Sequence, residues 1–198
     1  MDNYSKLGAN AFAKMDKVNS ELFCLTYGSM ISQLVRDKEH SDAVNDHLIL
    51  MGKNIGSKLV DELLAKLGCV PCTDFRSTVE VIAKVGFKMF LGISGSVVEV
   101  DQENKVYNIV FQENPLDQFV ELPETLKDLN YSNIFCGVII GALDQLQMKV
   151  QCYFVKDMLK GDDVYEITIK LEEVFQSPLY TCRWLRKLYQ MKNNFEYF

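Results

Sequence analysis

Cys72 stands directly ahead of a segment, Thr73 to Ile93 (TDFRSTVEVIAKVGFKMFLGI), whose spacing predicts a helix. Thr73 suits the N-cap and Asp74 the first turn, while Val79, Ile82, Ala83, Gly86 and Met89 recur at helical spacing on one apolar face. A thiol in that position feels the positive end of the helix dipole, with Arg76 one turn away. Both favour the nucleophilic thiolate, and Asp74 opposes them. Glycine in mid-helix costs about 1 kcal/mol against alanine, so the small size of Gly86 has a use. An activated cysteine beside an apolar wall relieved by a small residue points to an acyl chain held covalently in a hydrophobic slot. The same spacing also fits an unreactive cysteine at a loop–helix junction and a glycine kept small where two helices touch; if Cys72 is the lipidated residue, Val79, Ile82, Ala83, Gly86 and Met89 are the expected lining.

Other chemistries fit less well. Cys69-Val-Pro-Cys72 is a CxxC pair, but structural zinc needs four ligands and His40 and His47 are the only histidines. A thioredoxin-like couple would follow a strand, whereas a long helical pattern precedes this pair. Cys69 reads as incidental, although a disulfide with Cys72 would compete with acylation under oxidation. There is no glycine-rich phosphate loop, nucleophile elbow or HExxH, so no catalytic residue, metal or further cofactor is assigned. Asp61, Glu62, Asp162 and Asp163 read as solvated faces or turns. The expectation is a binding or assembly protein rather than a turnover enzyme.

The elements that must position Cys72 follow from periodicity. In a chain of 198 residues, 48% of them hydrophobic, one sizeable core is expected. A net charge of -6 argues against nucleic acid as a partner. Cys24, Cys136 and Cys152 lie within apolar patterns and behave as small hydrophobes in a reducing compartment. The N-terminal stretch lacks the apolar run of a signal peptide, and Ile134 to Leu143 is too short to span a bilayer.

Residues 1–18 are polar and weakly periodic, an N-terminal arm. Residues 19–172 make the main domain. Within it, Leu22, Leu25, Met30 and Leu34 mark a helix over 20–36, and Val44 through Leu63 mark a second over 41–67. The cysteine-led helix follows and ends near Gly92. Strands are expected over 97–101, 106–111, 149–156 and 164–171, with a helix over 131–147 between the two hairpins. This order gives an α+β fold, an α/β plait with helices packed on an antiparallel sheet. Gly52 and Gly56, like Gly137 and Gly141, are one turn apart and invite close approach of another backbone. The segment 173–198 is atypical: Trp184, Leu188, Met191 and Phe195 form a helical stripe among Arg183, Arg186, Lys187 and Lys192. It suits packing on the body of the chain, a partner, or an anionic membrane surface.

Several segments resemble a known family in their order along the chain. Glu21–Leu34 (ELFCLTYGSMISQL), Met51–Leu63 (MGKNIGSKLVDEL), the Cys72 segment, Glu113–Pro123 (ENPLDQFVELP), Tyr131–Gln147 (YSNIFCGVIIGALDQLQ) and Val155–Leu171 are similar to the palmitoylated Bet-type core subunits of TRAPP, the transport protein particle. The resemblance implies an α/β plait with a buried acyl tunnel, a fatty acyl group such as palmitate on Cys72, and a small residue at Gly86 on the tunnel wall. It implies a non-catalytic scaffold in a vesicle-tethering complex that promotes Rab nucleotide exchange in ER-to-Golgi transport. Its implied partners are other small TRAPP subunits of related fold, a Rab GTPase met through the complex, and a second copy of itself in isolation. The implied location is cytoplasmic, peripheral to endoplasmic reticulum and cis-Golgi membranes. Pro71 departs from the family, where a basic residue stands, and so weakens the electrostatic activation of the thiol. The other function class, a reversible lipid carrier, would use the same slot with Cys72 only lining it. A redox sensor built on Cys69 and Cys72 is the third.

Overall fold

A computed structural model describes residues 2–38, 40–67 and 74–175. Among these residues six α-helices, a π turn and four strands follow one another: α1 (Asn3–Lys14), α2 (Ser20–Asp37), α3 (Ser41–Leu67), α4 (Phe75–Val81), the π turn (Ile82–Gly86), α5 (Phe87–Leu91), β1 (Ser96–Asp101), β2 (Val106–Phe111), α6 (Ile134–Gln145), β3 (Met148–Lys156) and β4 (Tyr165–Val174). The strands form one antiparallel sheet in the order β1-β2-β4-β3. Alternation sends Tyr107, Ile109, Phe111, Tyr165, Ile167 and Ile169 to the helical side, where all are buried. Helices on one face of an antiparallel sheet make this an α+β fold, as the patterning implies.

Two of the helices are mated by glycine. A β-carbon on Gly52 would collide with the carbonyl oxygen of Ile134, and one on Gly56 with that of Val138. Reciprocally, Gly137 and Gly141 admit the carbonyls of Ile49 and Lys53. The pairs separated by one turn therefore lock α3 against α6 inside the chain, backbone to backbone. Their close approach is what brings the second halves of both helices alongside the cysteine-led helix.

The stretch 1–18, expected as an arm, contains α1 and is docked. Asp2 caps the helix by accepting from Ser5 N at 2.8 Å, and its other carboxylate oxygen takes Lys84 Nζ at 2.7 Å. Together these hold the Asp2 carboxyl far below the ordinary carboxylate range, the Lys84 hydrogen bond acting most strongly. Gly8 lets the helix ride against the backbone of Lys84 and Val85. A contact made through Gly8 and Ala11, both buried, leaves no stripe of large apolar residues to read.

On α2 the buried face is Cys24, Tyr27 and Ile31, whereas Leu22 and Leu25 are exposed. The expected stripe is thus rotated, because Tyr27 and Cys24 reach inward: Tyr27 Oη donates to Tyr131 O at 2.6 Å and Cys24 Sγ to Leu116 O at 3.0 Å. Cys24, Cys136 and Cys152 are all buried free thiols, and burial pushes the Cys152 thiol well above its usual range.

Candidate functional site

Asp74, rather than Thr73, caps the helix that follows the cysteine pair. Its side chain accepts from Ser77 N at 2.7 Å, which holds its carboxyl below the usual value. Thr73 itself, with Gly68, Cys69, Val70, Pro71 and Cys72, lies outside the described residues. The negative charge opposing a thiolate is therefore fixed at the helix entrance. Arg76 is drawn to carboxylates: its Nη1 lies 3.0 Å from Glu99 Oε2 on β1, and its Nε 3.7 Å from Glu80. Its charge is shared with these groups.

From Asp74 the helix continues through α4, the π turn and α5 to Gly92, whose φ of +77° closes it in the left-handed region that glycine adopts freely. The π turn widens the spiral between Ile82 and Gly86 and changes which residues share a face. Three faces are buried as a result. Phe75, Val79, Ala83 and Phe87 belong to the core over the sheet. Gly95 N donates to Ala83 O at 2.9 Å. Val85 and Met89 are buried as well, with Val85 meeting α1. Thr78, Val81, Ile82, Gly86, Phe87 and Phe90 face a cavity.

That cavity, about 590 Å³, lies between α2, the second half of α3, the cysteine-led helix and α6. Ile55, Leu59, Leu63 and Leu64 supply one wall, while Val138, Ala142, Leu143 and Leu146 supply another. Phe23 and Ile55 border it while remaining exposed, so it reaches solvent between α2 and α3. Its volume is in the range, about 300–1,000 Å³, of pockets that bury small ligands. Among the described residues that line it, Tyr27 and Thr78 are the ones, apart from Gly86, that are not plainly apolar. Both are engaged elsewhere, Tyr27 with Tyr131 O and Thr78 Oγ1 with Asp74 O at 3.0 Å. A described lining that is almost wholly apolar suits an alkyl chain better than a polar metabolite.

Of the five expected lining residues, the structure brings Ile82 and Gly86 to the cavity. Val79, Ala83 and Met89 are buried on the helix's other faces. Arg76, Glu80, Lys84 and Lys88 mark one polar face, but nothing in the broad apolar arc that remains distinguishes the part that meets the core from the part that meets a ligand. Sequence reasoning also missed the walls from α2, α3 and α6, which are remote from Cys72 along the chain. The paired glycines of α3 and α6 were the signal for that juxtaposition.

Gly86 differs from the glycines of the α3–α6 crossing. A β-carbon there would meet Leu63 Cδ1 and Val81 O, each at 3.9 Å, which is ordinary contact. No backbone needs the space, so the absent side chain enlarges the cavity. Among the described residues no cluster of histidine, cysteine and carboxylate side chains is placed to hold a metal ion, and no helix is long and apolar enough to cross a membrane.

A helical layer on a four-stranded antiparallel sheet, enclosing an apolar cavity beside the cysteine-led helix, defines the class. The chain belongs to the family of transport protein particle (TRAPP) components, whose pattern matches residues 23–170. It is 52% identical over 177 residues to the trafficking protein particle complex subunit 3 of Dictyostelium discoideum, covering 89% of this chain and 95% of that one. It is 41% identical over 168 residues to trafficking protein particle complex subunit BET3 of Saccharomyces cerevisiae, covering 84% and 87%. The crystal structure of a trafficking protein particle complex subunit 3 from Naegleria fowleri, covalently bound to palmitic acid, superimposes with a TM-score of 0.77 at 47% identity. That match covers 82% of this chain and all of the other.

Proposed function

We propose that this chain is a non-catalytic scaffold subunit of a TRAPP assembly and carries a fatty acyl group, palmitate or a chain of similar length, as a thioester on Cys72. The observation that supports this most is the apolar cavity widened at Gly86, combined with the covalent palmitate of the related Naegleria fowleri protein. Cys72 precedes Asp74 by two residues, so their α-carbons are at most about 7.6 Å apart. Thr78 on the cavity wall is one turn beyond Asp74. The attachment point is thus within reach of the cavity along the chain.

In the acylation step the Cys72 thiolate attacks the carbonyl of a long-chain acyl thioester. A new C–S bond forms, the donor's C–S bond breaks, and the donor leaves as a thiolate that takes up the proton Cys72 released on ionising. Ile82, Gly86, Leu63, Val138 and Leu143 would hold the chain. Each buried methylene contributes about 0.8 kcal/mol, so the acyl group acts as part of the core and not as a membrane anchor.

The partners in this reading are small TRAPP subunits of related fold, or a second copy when the chain is alone, with a Rab GTPase met only through the assembly. The setting is cytoplasmic, peripheral to endoplasmic reticulum and cis-Golgi membranes. Two assays test it. The purified chain is expected not to accelerate nucleotide release from a Rab GTPase, and robust exchange by the isolated chain would contradict the scaffold role. Organic extraction of the denatured protein is expected to leave the lipid attached, whereas a reversible carrier would surrender it.

A further inference from the structure

The sheet has a second face, opposite the one that carries the helices. Val98 on β1, Asn108 on β2, Thr168 on β4 and Tyr153 on β3 are cross-strand neighbours and form one row over its whole width. The two central members satisfy each other, Thr168 Oγ1 donating to Asn108 Oδ1 at 2.8 Å, while Asn108 Nδ2 donates to Glu166. They are nearly inaccessible, whereas Val98 and Tyr153 at the two flanks are 48% and 49% exposed and Val100 is 58% exposed. The row is therefore internally bonded and buried at its centre, with Val98 and Tyr153 exposed at its two ends.

The chain leaves the sheet at Val174 and Phe175, both half exposed, where Phe175 N donates to Gln147 O at 2.9 Å. The β1–β2 turn abuts the same end through Leu171 N and Lys105 O. The charge at this end is mixed: Glu103 and Glu173 are exposed beside Lys105 and Lys170, and Glu172 pairs with Lys149 at 3.3 Å. The residues that follow, 176–198, are basic, with Arg183, Arg186, Lys187 and Lys192 against Glu196 alone. The chain as a whole carries -6, so the body before this tail is more acidic still. Opposite net charge favours this basic tail over the acidic body of a second copy.

We propose that the C-terminal segment 176–198 packs across the outer face of its own sheet, laying the stripe Trp184, Leu188, Met191 and Phe195 over the Val98–Asn108–Thr168–Tyr153 row. The dimensions agree. Three inter-strand spacings make the row about 14 Å wide, and as a helix the stripe from Trp184 to Phe195 is about 16 Å long. The link from Gln176 to Arg183 reaches up to about 28 Å if extended, enough to return over the face it has just left. The tail then withdraws this face from neighbouring subunits. The inference is independent of whether Cys72 is acylated.

Trp184 is the chain's only tryptophan and reports its own surroundings. In the full chain its emission is expected to be blue-shifted and shielded from acrylamide, equally at every protein concentration. Val98→Lys and Tyr153→Lys should shift it to the red and raise quenching several-fold, whereas Leu22→Lys on α2 should not. Leu188→Lys, which leaves the sheet untouched, should have the same effect as the sheet variants and covers the case in which those fail to fold. The proposal is overturned by a solvent-exposed Trp184. It is equally overturned by shielding that grows with concentration, by shielding that needs phosphatidylserine vesicles, or by shielding indifferent to Leu188→Lys.

Discussion

A β-carbon on Gly86 would rest 3.9 Å from Cδ1 of Leu63 on the facing cavity wall, an ordinary contact that displaces no neighbour. This separates the role of Gly86 from that of the other buried helical glycines. Gly86→Ala is expected to be tolerated, and to stabilise the fold by up to about 1 kcal/mol, because alanine is the better helix former. Gly86→Leu should also fold but fill the slot. Denaturant unfolding checks the first statement, and the yield of acylated protein checks the second.

The α3–α6 crossing should respond in the opposite sense. Gly137→Ala places a methyl group against the carbonyl of Ile49, backbone that cannot swing aside. A loss of about 1–3 kcal/mol is expected from overpacking. Urea denaturation should show a lower midpoint with an unchanged slope, and a midpoint equal to that of the parent chain would remove this contact from the account.

Tyr27 gives a third test. Its hydroxyl donates to Tyr131 O at 2.6 Å in the core, and the two rings meet edge to face with centroids 5.2 Å apart. Burial raises the Tyr27 hydroxyl far above its ordinary range and pushes that of Tyr131 to about 12. Tyr27→Phe keeps the ring contact and orphans a buried carbonyl, a cost of about 1–3 kcal/mol by thermal or chemical unfolding.

Asp157 supplies the pH dependence. It is buried, its Oδ1 accepts from Leu159 N at 3.0 Å, and its Oδ2 has no partner. Burial raises its pKa above 3.8, with Asp162 adding to the rise and Lys160 opposing it; Asp117 nearby is raised by burial too. A carboxyl with a raised native pKa binds its proton more tightly folded than unfolded. Its contribution is most favourable below the unfolded value of 3.8 and declines as pH rises through the folded one. Asp157→Asn should therefore gain stability relative to the parent as pH rises from 4 to 7. A constant difference over that range would refute the assignment.

Much of the fold was legible because its periods are long and consistent. The apolar positions from Val44 to Leu63 place α3 over 41–67, and the alternation of Val106 to Phe111 places β2, each at the bounds observed. What was not legible has identifiable causes. The helix α1 docks through Gly8 and Ala11 and a charge pair, without large apolar residues. Of the stripe expected on α2, Met30 and Leu34 pack against the core while Leu22 and Leu25 face solvent, so hydrophobicity alone misplaced the inner face of the helix's first half. The π turn has no residue signature, yet it decides that Ile82 and Gly86 meet the cavity while Val79, Ala83 and Met89 do not. The distal walls come together only through the α3–α6 crossing, a relation between segments some eighty residues apart.

The central claim is a thioester-linked acyl chain in the cavity, and intact mass is its most direct measurement. The purified chain is expected to carry a mass increment of fatty-acyl size, released by neutral hydroxylamine, absent from Cys72→Ser and reduced in Gly86→Leu. A well-folded chain without that increment, or an increment retained in Cys72→Ser, would contradict it.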